Sequence, residues 1–442
     1  MHIPERGTER YVGHMFQTLD NGGPKTVIKR QDVQARLMQI GEADILVGIP
    51  SYNNAHSIGH VVRAVQAGLA KYFPDKKTIL VNSDGGSTDG TIDVVHQTTI
   101  DDFKSILVAH RFESFSKIAI PYHGLPGKGS AFRTIFEIAG ALNVKACAVV
   151  DSDLRSITPE WIELLIKPII GDGYDYVAPL YHRHKYDGTI TNSIVYPLTR
   201  TLYGKDVRQP IGGDFGFSGR LAGFYLTKEV WESDVARYGI DIWMTTTAIA
   251  NNFRICQAFL GAKIHDAKDP GADLSAMLYQ VVGATFDLME EYPQTWKHIA
   301  STQAVPVFGF TYAVGLEPVN VNIQRMLEKF RLGAHELGPI WENILSRDTI
   351  DFLTGLADTP KEDFHMPDSI WVDIIYSFAL AAHRKVIHKE HLLKSLTPLY
   401  IGRTASFVIE TWEASGSEVE EKINKLCEEY WRSKRSFSER WQ

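Results

Sequence analysis

The sequence has few cysteines, no long apolar run and no excess of positive charge. Its three cysteines, Cys147, Cys256 and Cys427, are far apart and form no C-x-x-C pair. This usage predicts a reducing compartment and no cysteine-built metal site. No apolar stretch reaches the roughly 18 residues that a membrane span needs. The first residues also lack a basic segment followed by an apolar one, so we expect no signal peptide, a cytoplasmic location and no membrane partner.

The charge balance excludes a further class of partner. The formal net charge of the 442 residues is −7. No positive field is therefore available to hold phosphate backbones, and no nucleic-acid partner is expected. Hydrophobic residues make up 44% and charged residues 22% of the chain, which is ordinary for a soluble globular protein long enough for two or three domains.

Apolar runs and helical periodicities alternate over the first 270 residues or so. Strands are predicted at 45–50, 78–82, 105–109, 146–150, 174–179 and 257–265. Such alternation predicts an α/β fold with a mainly parallel sheet and helices on both faces. After residue 273 the apolar spacing is helical throughout. We therefore expect an N-terminal extension (1–44), an α/β domain (45–272) and a largely helical C-terminal region (273–442) that can form a homodimer.

Two aspartates, Asp151 and Asp153, directly follow the predicted buried strand 146–150. In an extended backbone, residues two apart point to the same side, so both carboxylates can reach one cation. Hard oxygen ligands suit Mg²⁺ or Mn²⁺, which commonly bridge a protein to a diphosphate. His265 ends another predicted strand and can add a nitrogen ligand. The structural alternative is a strand end followed by an acidic turn, with an ordinary histidine elsewhere.

Two other polar residues occupy ligand-binding positions of an α/β sheet, whose ligands bind at the carboxyl ends of the strands. Asp84 lies in the Gly-rich turn 82–91 after a predicted strand, where its carboxylate can accept an N–H of uracil or guanine. Lys128, between Gly127 and Gly129, precedes a helix and can hold a diphosphate there. The G-x-x-x-x-G-K-[ST] spacing of a P-loop is absent. A plain turn and a surface lysine are the alternatives.

Residues of two later segments can meet an acceptor. Asp241 is at the start of a predicted helix. It can cap that helix, or it can act as a base or an orienting group for an acceptor hydroxyl. Gly212 and Gly213, in the loop 209–216, can present backbone N–H groups to a carboxylate, or simply form a turn.

Together these motifs resemble the nucleotide-sugar glycosyltransferases of the Rossmann-like GT-A fold. The segments 49–54, 84–91 and 151–153 are similar to the general family-2 pattern. More specifically, the segments 127–129, 151–154, 209–213 and 263–265 resemble the retaining group of glucosyl-3-phosphoglycerate, glucosylglycerate and mannosylglycerate synthases. The resemblance covers about residues 45–270. It implies a GT-A domain followed by a helical region, and a hexosyltransferase that retains the anomeric configuration.

The resemblance also implies roles for particular residues. Asp151, Asp153 and His265 would hold Mg²⁺ or Mn²⁺, and Asp241 and Lys128 would be catalytic. The donor, GDP- or UDP-glucose or else GDP-mannose, would contact Pro50, Tyr52, Asn54, Asp84, Lys128 and Ser152. The acceptor, glycerate or 3-phosphoglycerate, would contact Thr189, Thr191, Gly212 and Gly213.

The sequence departs from the phosphoglycerate enzymes of this group at Thr189, where they have an arginine two residues before the threonine matching Thr191. Arginine is the natural bidentate partner of phosphate, so its loss favours free D-glycerate as acceptor. Arg183, His184 or Lys185 can substitute for it. The alternatives are a glucosyl-3-phosphoglycerate synthase, an inverting polysaccharide transferase, which the absence of a Q-x-x-R-W motif disfavours, and a non-catalytic nucleotide-sugar-binding protein.

Overall fold

The computed structural model describes residues 31–98, 114–122, 126–265, 275–312, 315–316 and 319–441. The strand predicted at 105–109, most of the predicted extension and the predicted boundary at 272 lie outside these residues.

An eight-stranded, mainly parallel sheet is the centre of the first part of the chain, as the sequence predicts. Its strand order is β10-β8-β5-β7-β4-β1-β2-β3, and β6 and β9 form a separate parallel pair. The ten described strands are β1 Ile45–Ser51, β2 Lys77–Asp84, β3 Ser114–Pro121, β4 Ala146–Val149, β5 Tyr176–His182, β6 Lys205–Asp206, β7 Phe215–Ser218, β8 Ile255–Ala262, β9 Gln303–Ala304 and β10 Val307–Phe308.

One strand, β7, runs antiparallel to both of its neighbours, β4 and β5. The sequence analysis predicted only a loop over 209–216, because a four-residue strand containing a glycine shows too little alternation to detect. A Cβ on Gly216 would lie 2.1 Å from the Leu165 carbonyl oxygen, so the glycine lets a helix pack directly on this strand. Through β7, the loop that precedes it reaches the carboxyl end of β4, where Asp151 lies.

Helices cover both faces of the sheet. One apolar core joins the sheet to α2 and α5, and the other joins it to α4, α7 and α8. The helices of this part are α1 Gln31–Ile40, α2 Ile58–Tyr72, α3 Thr91–Gln97, α4 Lys128–Ala141, α5 Pro159–Asp172, α6 Tyr196–Tyr203, α7 Gly219–Leu226 and α8 Ile240–Ala250. A π-helical turn, Thr191–Val195, leads into α6.

The C-terminal region is helical, as predicted, and its apolar residues continue the second core without a break. Its helices are α9 Ser275–Glu291, α10 Pro293–Trp296, α11 Ile323–Glu336, α12 Gly338–Trp341, α13 Arg347–Ala357, α14 Asp368–His383, α15 Lys389–Glu410 and α16 Gly416–Arg440. Ser415 and Glu418 form a capping box that begins α16. Within the described ranges, none of the helices has both the length and the apolar character to cross a bilayer.

Candidate functional site

A cleft of about 950 Å³ opens at the carboxyl ends of the parallel strands, where ligands of α/β sheets bind. Thirteen of the fourteen predicted site residues line it: Pro50, Tyr52, Asn54, Lys128, Asp151, Ser152, Asp153, Thr189, Thr191, Gly212, Gly213, Asp241 and His265. Residues predicted to contact the donor, the metal and the acceptor therefore face one common space. Asp84 is the exception.

The predicted donor side is built from the ends of β1 and β4. The Asn54 side-chain oxygen accepts hydrogen bonds from the Ser152 hydroxyl at 2.8 Å and from the Tyr52 amide at 3.0 Å. The Ser57 hydroxyl donates to the Ser152 carbonyl at 3.0 Å. These bonds fix the loop after β1 against the acidic turn after β4.

Asp84 lies beneath the cleft and is fully buried. Its carboxylate accepts hydrogen bonds from the Ser51 hydroxyl, the Gly86 amide, and the amide and hydroxyl of Ser87, at 2.7 to 2.9 Å. These donors lie at the end of β1 and in the loop after β2. The Asp84 carboxylate therefore holds the loop after β2 against the end of β1, and its contact with a nucleobase stays a prediction.

Two lysines share the carboxylate of Asp151. The Lys128 ammonium lies 2.8 Å from Oδ1, and the Lys263 ammonium lies 2.7 Å from Oδ2. Burial favours the neutral acid, but the two positive charges outweigh it and hold the pKa of Asp151 well below its usual range. Gly213 has φ +91°, and a Cβ there would lie 2.3 Å from Asp151 Oδ2. A glycine is required at this position because any side chain would displace the carboxylate.

Lys263 belongs to a buried network that the sequence analysis did not include in the site. Its ammonium donates at 2.8 Å to Asp214 Oδ2 and at 2.8 Å to the Gly212 carbonyl. The fully buried Asp214 also accepts from the Tyr181 hydroxyl and, at 2.8 Å, from the Asp151 amide. The available signals were the two-residue spacing of Lys263 from His265 and the position of Asp214 directly after Gly213.

Asp153 has a different environment from Asp151. Burial and the neighbouring charge of Asp151 raise the pKa of Asp153, against weaker opposing effects of Lys263 and His265. No hydrogen bond or salt bridge to its side chain is present within the part of the chain that the structure describes. His265 Nε2 instead lies 3.7 Å from Asp187 Oδ2. Among the described residues, no three His, Cys, Asp or Glu side chains converge closely enough to hold a metal ion.

The chemistry of the cluster nevertheless fits a divalent cation. Its five carboxylates, Asp151, Asp153, Asp187, Asp214 and Asp241, face three permanently charged cations, Lys128, Lys263 and Arg183. Carboxylates therefore outnumber cations in this cluster, which favours the binding of a positive ion such as Mg²⁺ or Mn²⁺. Asp153 offers hard oxygen atoms without a competing partner, which is what such an ion requires.

Asp241 lies in the first turn of α8 and points into the same cleft. Its two oxygens are 3.3 and 3.4 Å from the Lys128 ammonium, and buried Oδ1 has no hydrogen bond within the described residues. Burial and the charge of Asp151 raise the pKa of Asp241, while Lys128 opposes that rise. A buried carboxylate with a raised pKa and an unused acceptor atom can bind or accept the proton of a hydroxyl group.

On the predicted acceptor side, the hydroxyls of Thr189 and Tyr400 lie 2.5 Å apart, so Thr189 uses its polar group to contact the C-terminal region. The Lys185 ammonium is bound by the carbonyls of Thr411, Trp412 and Ala414. The Lys185 ammonium is therefore not available to an anion.

Arg183 lines the cleft. Its guanidinium lies 3.6 Å from Asp187 Oδ2, and its buried Nε makes no hydrogen bond within the described residues. Of the three basic residues proposed from the sequence to replace the missing arginine, Arg183 is the one whose charge faces the cleft.

Residues 46–231 match the sequence profile of glycosyl transferase family 2. With the GT-A-type sheet and the cleft at its carboxyl edge, this domain makes the protein a glycosyltransferase. No curated protein sequence matches the chain. Similar solved structures include three complexes of glucosyl-3-phosphoglycerate synthase from Mycobacterium tuberculosis.

The first complex, with Mg²⁺ and UDP, is 23% identical with a TM-score of 0.42, covering 57% of this chain and 82% of that chain. The second, with Mn²⁺, UDP and phosphoglyceric acid, is 23% identical with a TM-score of 0.43, covering 57% and 81%. The third, with Mn²⁺, UDP and glucosyl-3-phosphoglycerate, is 24% identical with a TM-score of 0.41, covering 57% and 83%.

Proposed function

We propose that this glycosyltransferase moves glucose from a nucleotide diphosphate sugar to D-glycerate, using Mg²⁺ or Mn²⁺ and retaining the anomeric configuration. The observation that carries the proposal is that Asp151, Lys128, Asp241 and Arg183 line the same cleft as most of the predicted donor residues. Mannose is the second candidate sugar, UDP and GDP are the candidate nucleotides, and 3-phosphoglycerate is the alternative acceptor.

On the donor side, Asp153, His265 and Asp151 would together hold the divalent cation. When bound, the cation would neutralise the charge that develops on the leaving diphosphate. The Lys128 ammonium, at the N-terminus of α4, is placed to bind the same diphosphate directly. The closed network of Lys263 and Asp214 keeps the backbone of the acidic turn fixed, since it binds both the amide and the carboxylate of Asp151.

On the acceptor side, Asp241 would orient the attacking hydroxyl and accept its proton. The sequence motifs identify no covalent nucleophile, so attack from the side of the leaving group is the mechanism we favour. Arg183 would bind the acceptor carboxylate through its planar fork of N–H donors. The Arg183 guanidinium can pair with the single carboxylate of glycerate. The dianionic phosphate of 3-phosphoglycerate would need a further cation, and Arg237 also lines the cleft.

A panel of donors and acceptors tests the proposal. UDP-glucose, GDP-glucose and GDP-mannose are each combined with D-glycerate or 3-phosphoglycerate, and the product anomer is assigned by NMR. We expect kcat/KM for glycerate to exceed that for 3-phosphoglycerate at least about tenfold, with retention of configuration. A preference for the phosphorylated acceptor would overturn the acceptor assignment. Donor binding without transfer or hydrolysis would favour a non-catalytic binding protein.

Replacing Arg183 with lysine is expected to raise the KM for glycerate roughly 10- to 100-fold, because a lysine cannot make two parallel bonds to a carboxylate. The KM for the donor should stay within about threefold of the wild-type value. Steady-state kinetics with each substrate varied in turn measure both constants. Arg200→Lys, an arginine outside the cleft lining, is the matched control. An unchanged KM for glycerate in Arg183→Lys would exclude Arg183 as the carboxylate partner.

A further inference from the structure

We infer that Lys128 is an exchangeable counter-ion of Asp151, which the nucleotide diphosphate removes so that the divalent cation can bind. In the free protein, Lys128 would then lower the affinity for the divalent cation. The nucleotide would raise that affinity by binding the Lys128 ammonium in place of Asp151. This inference rests on the proposed function, because it takes the cleft to bind a nucleotide diphosphate and a metal ion together.

The first observation is that Asp151, the central residue of the predicted metal site, has no free carboxylate oxygen. One ammonium lies at 2.8 Å from Oδ1 and another at 2.7 Å from Oδ2. A metal ion and an ammonium cannot occupy the same oxygen lone-pair region, and their like charges repel each other. A metal ion bound to Asp151 would therefore lie next to two like charges, and it would bind more tightly once one of the two lysines has moved away.

The second observation identifies which lysine can leave. Lys263 has 4% of its side chain exposed and makes three bonds of 2.7 to 2.8 Å, to Asp151, Asp214 and the Gly212 carbonyl. Its departure would leave the fully buried Asp214 without a counter-charge, which is costly. Lys263 is therefore a fixed part of the protein.

Lys128 has weaker attachments. Among the described residues, its only polar contact below 3 Å is the one to Asp151, and its contacts to Asp241 and the Gly213 carbonyl are 3.3 to 3.4 Å long. Its side chain is 16% exposed and borders the open cleft. A diphosphate carries more negative charge than one carboxylate and would offer the ammonium a better partner in the same space.

The consequence is a coupling between two ligands. The nucleotide competes with Asp151 for Lys128, and the metal ion competes with Lys128 for Asp151. Each ligand therefore raises the affinity for the other by the same factor. The charge of Lys128 contributes to that factor, in addition to any direct contact between the phosphates and the metal. Removing only this charge should therefore tighten metal binding to the free protein and reduce the coupling.

Direct measurement of Mn²⁺ binding by electron paramagnetic resonance tests this inference without any assay of transfer. The full chain is titrated with Mn²⁺ alone, and then with UDP or GDP present. We expect Lys128→Met to bind Mn²⁺ alone at least about tenfold more tightly than the wild type, because a like charge next to a divalent ion weakens its binding by that factor or more. UDP or GDP should tighten Mn²⁺ binding less in this variant than in the wild type.

Two further variants control the experiment. Lys128→Arg keeps the charge and should retain the wild-type affinity for Mn²⁺ alone. Lys145→Met removes a lysine that pairs with Asp44 away from the cleft and should also leave that affinity unchanged. Thermal unfolding checks the fold of each protein, and Lys128→Gln replaces Lys128→Met if the latter is unfolded.

The results distinguish this inference from the proposed function. Equal or weaker Mn²⁺ binding by a folded, uncharged Lys128 variant in the absence of nucleotide would overturn the inference, even if UDP or GDP binds normally. Failure of the wild type to bind either nucleotide would instead overturn the proposed function. The comparison with Mn²⁺ alone would still decide whether Lys128 restrains the metal site.

Discussion

Replacing Asp153 with asparagine is expected to lower kcat/KM for glycosyl transfer roughly a thousandfold and to leave the fold at least as stable as the wild type. The loss follows from the proposed role, since a metal ion contributes several kcal/mol of charge stabilisation at a leaving diphosphate. The unchanged stability follows from the environment of the residue. Asp153 is partly buried beside the charge of Asp151 and has a raised pKa, so its ionised form opposes folding.

The sign of the stability effect depends on pH. A carboxyl group whose pKa is higher in the folded than in the unfolded state reduces stability as pH rises through that folded pKa. Asparagine removes this cost, so Asp153→Asn should have an equal or higher Tm at pH 7 and lose that advantage in acid. Thermal unfolding at pH 7 and pH 4, together with Mn²⁺-dependent kinetics, measures both effects. Near-normal transfer by Asp153→Asn at saturating Mn²⁺ would show that Asp153 is not a ligand of the metal ion.

Asp241→Asn is expected to lower kcat roughly a hundredfold, while the KM for the donor changes little. An amide of the same shape can still fill the space, but it cannot accept a proton from the acceptor hydroxyl. General base catalysis typically raises the rate by a factor of about 10² or more. The raised pKa of Asp241 also predicts that wild-type activity falls in acid, where the carboxylate becomes protonated. The variant should lack this decline on the acidic side of its pH–rate profile.

Steady-state kinetics from pH 4 to pH 9 test the role of Asp241. Asp234→Asn is a suitable control, because Asp234 pairs with Lys389 and does not line the cleft. A kcat within about threefold of the wild type, or an unchanged acidic decline, would exclude Asp241 as the base. A large rise in the KM for the donor alone would instead indicate that Asp241 binds the sugar.

The fold could be predicted where local sequence and tertiary structure agree. The apolar runs at β1 and β4 are long enough to identify as strands, and their burial on both faces is what parallel strands require. The antiparallel β7 could not be found in this way, because its four residues pair with β4 and β5, strands from other parts of the sequence. Its position depends on long-range pairing and on the absence of a side chain at Gly216.

The sequence predicts which residues share the cleft, but it does not predict their hydrogen-bond and salt-bridge partners. Asp151 and Asp153 form one motif in the sequence, yet two lysines bind Asp151 and none forms a salt bridge to Asp153 within the described chain. Lys263 could not be assigned as a partner of Asp151, because 112 residues separate them. Asp84 was identified from its Gly-rich turn, whereas its full engagement by neighbouring hydroxyls and amides depends on the folded loops.

The segment 183–191, which carries Arg183 and Thr189, is attached through Lys185, Tyr186 and Thr189 to α15 and the turn after it. The Lys185 ammonium binds three carbonyl groups at the end of that helix, as a cation at a helix C-terminus does, and Thr189 contacts Tyr400 within the helix. The contacts join residues 211 to 229 positions apart in the sequence. The surface that we propose binds the acceptor is therefore shaped partly by residues beyond 46–231. We expect that transferases with similar domains at these positions can differ in acceptor when their C-terminal helices differ.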